Sequence, residues 1–316
     1  EPLLEGGPDA RSAHIVEAIA GDTAVGHATA FAQAVESLAG CQVPPRGHAL
    51  RALALELERL ANHTGDIGAL AGDVAFLPTA SYCGRLRGAF LNMSAELCGN
   101  RLGRGLVRPG GVVFDLEAAL VERLQAQLAE AERDLGGAVR LFLDSGSVQA
   151  RLEGTGTVAS DAAEALGLVG PAARACGVRR DVRHDHPTGY YRLAQIPPVT
   201  APDGDVHARA TVRWLEMQRS LEFARALLAE LPAGATRVAC PAPRADLVVV
   251  SLVEAWRGEA AHVALTGASG RFQRYKVTDP SFHNWPALEQ ALRGMEISDF
   301  PLTNKSFNLA YGGHDL

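Results

Sequence analysis

Leucines at 50, 53, 57 and 60, continued by Ile67, Leu70 and Val74, step along the chain by threes, fours and a seven. That spacing lays apolar side chains on one face of an α-helix of about eight turns. A shorter helical pattern, from about Thr29 to Ala39, precedes it and stops before Pro44-Pro45, where locked φ angles and missing N–H groups block continuation. A third runs from about Ser81 to Leu106 and is closed by the Arg-Pro-Gly-Gly turn at 108–111. In the fourth, Leu116, Leu120, Leu124 and Leu128 share one ridge, and the pattern ends at Gly136-Gly137. Together these segments predict an antiparallel bundle. From Arg151 to Val199 periodicity lapses into glycine, proline and arginine, the texture of a loop-built site. A further helix is predicted from Val206 to about Leu231. After Pro241 the stretches ADLVVVSLVEAW and HVALTGASGRFQRYKVTD read as short strands with a Gly-Ala-Ser-Gly turn, and Phe282 to Leu292 reads as a final helix. The predicted class is α+β, mainly α: a helical bundle with a small β region, in a single domain over residues 1–316.

Composition narrows the function. With 316 residues, 47% of them apolar, the chain can bury a large core. A net charge of −6 without basic runs argues against nucleic acid. No window approaches the roughly 18 apolar residues of a membrane span, and EPLLEGGPDA has no signal-peptide pattern. Glu1-Pro2 and the missing initiator Met read as the cut edge of a longer chain, truncated at its N-terminus. Cys41, Cys83, Cys98, Cys176 and Cys240 are odd in number and never C-x-x-C, so each reads as a small buried hydrophobe in a reducing setting.

The polar residues of the long helix are more informative. Glu56, His63, Asp66 and Asp73 follow steps of seven, three and seven, a stripe beside the leucine ridge. It is either a solvated face or a row of proton acceptors, and periodicity leaves both open. Gly65, Gly68 and Gly72 form a parallel track that costs about 1 kcal/mol each relative to alanine unless another backbone comes close. Downstream, Arg174, Asp181 and Arg183 have the composition of an internal ion-pair network that pins a loop, and Tyr190-Tyr191 read as packing anchors. Arg257 and Glu259 read as surface or interface charges, and Asp-Pro-Ser-Phe at 279–282 as the start of the last helix.

Five ordered stretches, ALELERLANHTGDIGAL, RPGGV, GLVGPAARACGVRRDVR, GDVHARATVRWLEMQRSL and DPSFHNWPAL, together resemble one family along nearly the whole chain. It is the large subunit of energy-converting (group 4) nickel–iron hydrogenases and its relative, the 49-kDa-type quinone-site subunit of respiratory complex I. In those hydrogenases two C-x-x-C pairs hold nickel and iron through soft thiolates. The resemblance places Ala20 and Thr23 of IAGDTAVGH at the first pair of ligand positions, and Ala310 and Gly313 of AYGG at the second. A methyl, a hydroxyl, a methyl and a hydrogen replace four anionic sulfurs, so the resemblance implies a vacated metal site and no metal or other cofactor bound by this chain.

What it then implies is the complex I solution, a cavity lined by Ala20, Thr23, His27, Ala310 and Gly313 that takes a quinone head beside an iron–sulfur cluster on a small partner subunit. Asp73 matches an aspartate near the quinone site and is the implied proton-linked carboxylate; His63 is either a second proton carrier or a satisfied core histidine. The quinone-holding tyrosine of complex I has no counterpart in GDTAVGHA, the histidine loop falls upstream of Glu1, and the closing words stand nearer the hydrogenase branch. The implied partners are the iron–sulfur subunit, antiporter-like membrane subunits and a 30-kDa-type subunit or domain. The implied location is peripheral, on the cytoplasmic side of the cell membrane. Any NAD chemistry falls to another subunit, since no G-x-G-x-x-G follows a strand here. A non-catalytic coupling scaffold, or less readily an active hydrogenase large subunit, are the alternative functions.

Overall fold

A computed structural model describes residues 1–315. The chain opens with α1 (Ser12–Val16) and α2 (Ala24–Ala39), then the central α3 (Pro45–Asp73) and its antiparallel partner α4 (Leu77–Cys98). A two-stranded ribbon, β1 (Val107–Arg108) and β2 (Gly111–Val112), leads into α5 (Ala118–Leu143). Short helices α6 (Gly146–Leu152), α7 (Ser160–Ala165), α8 (Gly170–Arg174) and α9 (Val182–Asp185) carry the irregular middle to α10 (Val206–Ala229). Strands β3 (Val248–Ala255), β4 (Gly258–Thr266) and β5 (Phe272–Thr278) form an antiparallel sheet in that order, followed by α11 (Pro280–Ala291), α12 (Phe300–Phe307) and α13 (Tyr311–His314).

Several boundaries differ from the sequence pattern, each for a local reason. Pro45 does not merely stop a helix: it starts α3, where its absent N–H is no loss. α4 ends at Cys98, eight residues short of Leu106, because Gly99 takes a left-handed φ of 74° and turns the chain. Gly136-Gly137 lie inside α5, which continues to Leu143. Gly136 faces Trp214 and the Arg140 side chain, so the small residue serves helix packing there. The two C-terminal helices after α11 were not expected; each is too short for periodicity to reveal.

Helix α3 is the axis of the molecule. Leu50, Leu53, Leu57 and Leu60 are at most 1% exposed, and Arg51, Glu56, Arg59, His63 and Asp66 on its other sides are buried too. From Glu56 to Asp66 the acidic stripe is therefore no solvated face, while Asp73 at its end is exposed. Of the glycine track, Gly68 sits against Cys83 and the α4 backbone and Gly65 against the Arg87 side chain, while Gly72 has no neighbour a methyl would meet. Only Gly68 thus answers to close backbone approach. Helix α2 lies on the β3–β5 sheet, and its alanines make that contact thin: a methyl on Gly26 would stand 3.0 Å from Ala255 Cβ. Along β4, Ala260, His262, Ala264 and Thr266 alternate with more exposed residues, so the sheet turns one apolar face, with one histidine in it, toward the core. Cys83, Cys98 and Cys176 are buried as expected, and burial pushes the Cys83 thiol up to about 12; Cys41 and Cys240 are only half-buried.

Candidate functional site

The two ends of the conserved region meet. Ala20 and Thr23 stand just before α2, Ala310 and Gly313 around α13, and the contact between them runs through the start of α11. Asp279 caps α11, accepting from the Ser281 amide at 2.8 Å, while Ser281 Oγ accepts from the Ala310 amide at 2.9 Å. A methyl on Gly313 would lie 2.5 Å from Asp279 Cγ. His27, on the first turn of α2, places Nε2 3.0 Å from Asp279 Oδ2. His27, Ala310 and Gly313 thus converge on the Asp279–Ser281 corner.

Between the two arms runs Arg257, at the β3–β4 turn. Its fork donates to Asp22 at 2.6 and 2.8 Å, to Thr23 Oγ1 at 3.1 Å, and through Nε to the Asn308 carbonyl at 2.5 Å. The guanidinium lies 3.9 Å over the Trp256 ring, whose Nε1 donates to the Asp22 carbonyl and Thr23 Oγ1. Arg257 is 6% exposed and is an internal clasp, which corrects its reading as a surface charge. Asn308, in the left-handed conformation at φ 48°, also donates to Asp66 Oδ1 at 2.6 Å, tying the clasp to α3. The geometry that demands this link is the approach of α8 to the β3–β4 turn: a methyl on Gly258 would be 2.7 Å from the Gly170 amide nitrogen.

These residues do not fit a nickel–iron centre. Ala20, Thr23, Ala310 and Gly313 offer one neutral hydroxyl, and that oxygen already accepts from Trp256 and Arg257. Asp279 stands where any side chain at 313 would have to go. Among the described residues no group of three or more His, Cys, Asp or Glu is placed to hold a metal ion.

His27 belongs instead to a buried hydrogen-bonded chain. Its Nδ1 is 3.0 Å from His262 Nε2, and His262 Nδ1 is 2.8 Å from the Tyr275 hydroxyl. With Asp279 ionised the tautomers follow in one direction: Tyr275 O–H to His262, His262 Nε2–H to His27, His27 Nε2–H to Asp279. Burial and the neighbouring His27 hold the His262 imidazole well below its usual range. Burial pushes the Asp279 carboxyl up, but His27 and the Ser281 amide outweigh it and leave it below the usual carboxylate range.

His63 lies in a different, larger cluster. Its Nε2 is 2.9 Å from Glu216 Oε2, while Nδ1 has no partner. Arg174 donates to Glu216 and Glu254, both at 2.8 Å, and Arg183 forks onto Asp181 at 2.7 and 3.0 Å while reaching Glu56 at 3.2 Å. Glu56 also accepts from Arg59 at 3.1 Å, Tyr191 at 2.7 Å and Ser220 at 2.5 Å. All of these side chains are buried. Desolvation pushes the Glu56 and Glu216 carboxyls up, yet the arginines and other donors hold both below the usual range, Glu216 well below. The same burial lowers the His63 imidazole, against the pull of Glu216. Glu254 goes the other way: desolvation and the Asp181 charge push it up to about 7.

Asp73 stands apart from both clusters. It is the last residue of α3, about 15 Å along the axis from His63, and is exposed. Partial burial raises its carboxyl, with the Lys305 ammonium drawing it back; a carboxylate at a helix C-terminus is further disfavoured by the backbone dipole.

Sequence reasoning found Arg174, Asp181 and Arg183 as a network and Tyr191 as an anchor, but it missed Glu216, Glu254, His262, Tyr275 and Asp279 as partners. The signal for His262 and Glu254 was present, since each is an ionisable residue among mainly apolar neighbours in its strand. Glu216 had none, because α10 carries arginines and glutamates on every side.

The site is a buried ion-pair axis within a helical bundle, with two distant motifs clasped at one corner, and comparison with known proteins gives the class: one shared by energy-converting hydrogenases and NADH-quinone oxidoreductases. Residues 73–248 match the family described as respiratory-chain NADH dehydrogenase, 49 Kd subunit, and the chain belongs to that family. It is 31% identical over 283 residues to the carbon monoxide-induced hydrogenase of Rhodospirillum rubrum, covering 89% of this chain and 78% of that protein. It is 30% identical over 301 residues to an NADH-quinone oxidoreductase subunit of Deinococcus radiodurans, covering 86% and 75%. In fold it is similar to a chain in the structure of the membrane-bound sulfane sulfur reductase, an archaeal respiratory membrane complex, with a TM-score of 0.93 at 24% identity over 100% of this chain and 87% of that one. No described helix is long and apolar enough to cross a membrane.

Proposed function

We propose that the chain is a peripheral subunit of a membrane-associated, energy-converting oxidoreductase complex, and that it supports quinone-type redox chemistry without a metal of its own. The observation that carries this reading is that hydrogen-bonded side chains occupy both motifs the resemblance assigns to metal-binding thiolates: Thr23 on Arg257, and Ala310 and Gly313 at the Asp279–Ser281 corner beside His27. Quinone oxygens are acceptors, and Thr23, Trp256 and Arg257 are donors that would have to exchange their present partners, Asp22, Thr23 and Asn308, for a quinone. Electrons arrive from an iron–sulfur cluster on a small partner subunit, and antiporter-like and 30-kDa-type subunits complete the assembly on the cytoplasmic side. NADH, where it is the donor, binds elsewhere in the complex.

Asp73 and His63 are the proton-linked groups of this reading. Exposed Asp73 reports on the surface of the assembly and His63 on its buried axis. Asp73→Asn is expected to lower turnover of the intact complex several-fold while assembly and melting temperature stay unchanged; equal turnover would remove Asp73 from the mechanism.

One observation favours the second reading, a coupling scaffold without its own substrate: Arg257 and Asp279 fill the ground between the two motifs. A quinone analogue separates the two. Stabilisation of the intact complex, of about 2.7 kcal/mol at a hundredfold excess over Kd, supports quinone chemistry, and no shift in a complex that assembles normally supports the scaffold.

A further inference from the structure

The buried cluster around Arg174 does not balance. Glu56, Asp181, Glu216 and Glu254 bring four carboxylates against the three guanidiniums of Arg59, Arg174 and Arg183, all within the protein interior. An uncompensated charge at that depth is costly, and binding one proton removes it. Glu254 is the carboxylate nearest to solvent by a route visible in the structure. It lines a cavity of about 20 Å³, room for a single water, together with Thr29, His48, Arg51, Val182 and Arg183. The Val182 amide donates to Glu254 Oε2 at 3.0 Å.

Thr29 gives the second, independent observation. Its side chain is 2% exposed, lines this cavity, and its hydroxyl has no hydrogen-bond partner. A buried hydroxyl without a partner is rare unless water supplies one. One helical turn further along α2, Gln33 closes the cavity outward, donating to Thr188 Oγ1 at 3.0 Å and accepting from Ser251 Oγ at 3.1 Å. Thr188 is exposed, and Gln33, His48 and Thr188 also line an open surface groove of about 590 Å³.

We propose that one water molecule occupies the cavity beneath Thr29 and that it passes protons between the surface groove at Gln33 and Thr188 and the carboxylate of Glu254. The cavity water takes a proton from solvent water that reaches it past Gln33 and gives one to Glu254, and the cluster goes from one net negative charge to none. The charged groups that face Glu254 are Asp181, Arg174, Arg183 and Arg59; Glu216 joins them through Arg174, and His63 through Glu216; His48 and Arg51 face the cavity. Burial and Asp181 place the Glu254 carboxyl at about 7, where it exchanges near neutral pH. The link to turnover rests on the complex-subunit reading above, whereas the water and the proton rest on the cavity alone.

The test is infrared spectroscopy of the full chain, following the C=O stretch of buried carboxylic acids through a pH titration and after transfer to deuterium oxide. Buried Glu58, raised to about 8, supplies one such band; a second, titrating near 7, is expected to be lost in Glu254→Gln, with its hydrogen–deuterium exchange at least tenfold slower in Thr29→Val and restored in Thr29→Ser. The Thr29 pair keeps the cluster whole and serves where Glu254→Gln fails to fold. No band lost in Glu254→Gln, or exchange of that band as fast in Thr29→Val as in the native chain, would overturn the proposal. Turnover of the intact complex carrying Thr29→Val is read separately: unchanged turnover with slowed exchange overturns the link to coupling, and exchange alone decides the water site.

Discussion

Replacing Arg174 by glutamine is expected to destabilise the chain by about 3–5 kcal/mol, the cost of removing one partner from a buried ionic group. Arg174 is fully buried and is the side chain that Glu216, Glu254 and Asp181 share. Without it three carboxylates face only Arg59, Arg183 and His63. The loss is read from the midpoint of urea unfolding, and a change under about 1 kcal/mol would mean that solvent screens the cluster. Adding Glu254→Gln to that variant is expected to return part of the loss, since it removes a charge left without its partner.

The same cluster sets the response to pH, and its members act in opposite directions. Glu56, Glu216 and Asp181 have folded-state pKa values below their ordinary ones, so their stabilisation is present above the unfolded pKa near 4.5 for the glutamates and 3.8 for the aspartate, and is lost as pH falls through the folded values. Glu254 is raised from 4.5 to about 7, so the folded chain holds a proton there that the unfolded chain releases. Its contribution therefore declines as pH rises from about 4.5 to about 7. Glu254→Gln is expected to lessen the fall of stability with pH in that window, leaving the part that buried Glu58, raised to about 8, contributes, and to leave the acid limb in place.

The second large effect belongs to the clasp. Arg257→Leu is expected to cost about 2–3 kcal/mol and to raise hydrogen exchange across residues 308–315. The Asp22 side chain is 33% exposed, so water replaces part of that pairing. The larger loss is the Asn308 carbonyl and Thr23 hydroxyl, which the fork holds together. Arg257→Lys keeps the charge but not the planar fork, and is expected to recover less than half of the loss. Protection over 308–315 as in the native chain would show that the C-terminal arm is held by α11 and α12 packing alone.

The long helices were legible because each buries a leucine ridge whose period survives in the sequence, as in α3 and α5. The site was legible only in part. Glu56, His63 and Asp66 share a stripe, but spacing says nothing of what faces them, and Arg183, Glu216 and Arg213 arrive from segments far along the chain. The stripe also breaks at its end, where Asp73 projects beyond the packed bundle. Arg257 looked like a surface charge because a turn next to a glycine usually is exposed; here α8 closes over that turn, a contact between residues 170 and 258 that no local pattern carries. The Asp279 cap was visible as a helix start, but its second oxygen, held by His27, was not.

What stands at the meeting point of the two motifs decides the account: side chains that bond to one another through the Arg257 clasp and the Asp279 corner, with no soft anionic donor among positions 20, 23, 310 and 313. The most direct measurement is the nickel content of the purified intact complex, taken together with its hydrogen uptake and evolution. Nickel well below one atom per chain, with redox turnover intact, is the expected result. One tightly held nickel per chain, with hydrogen turnover that depends on it, would contradict the account.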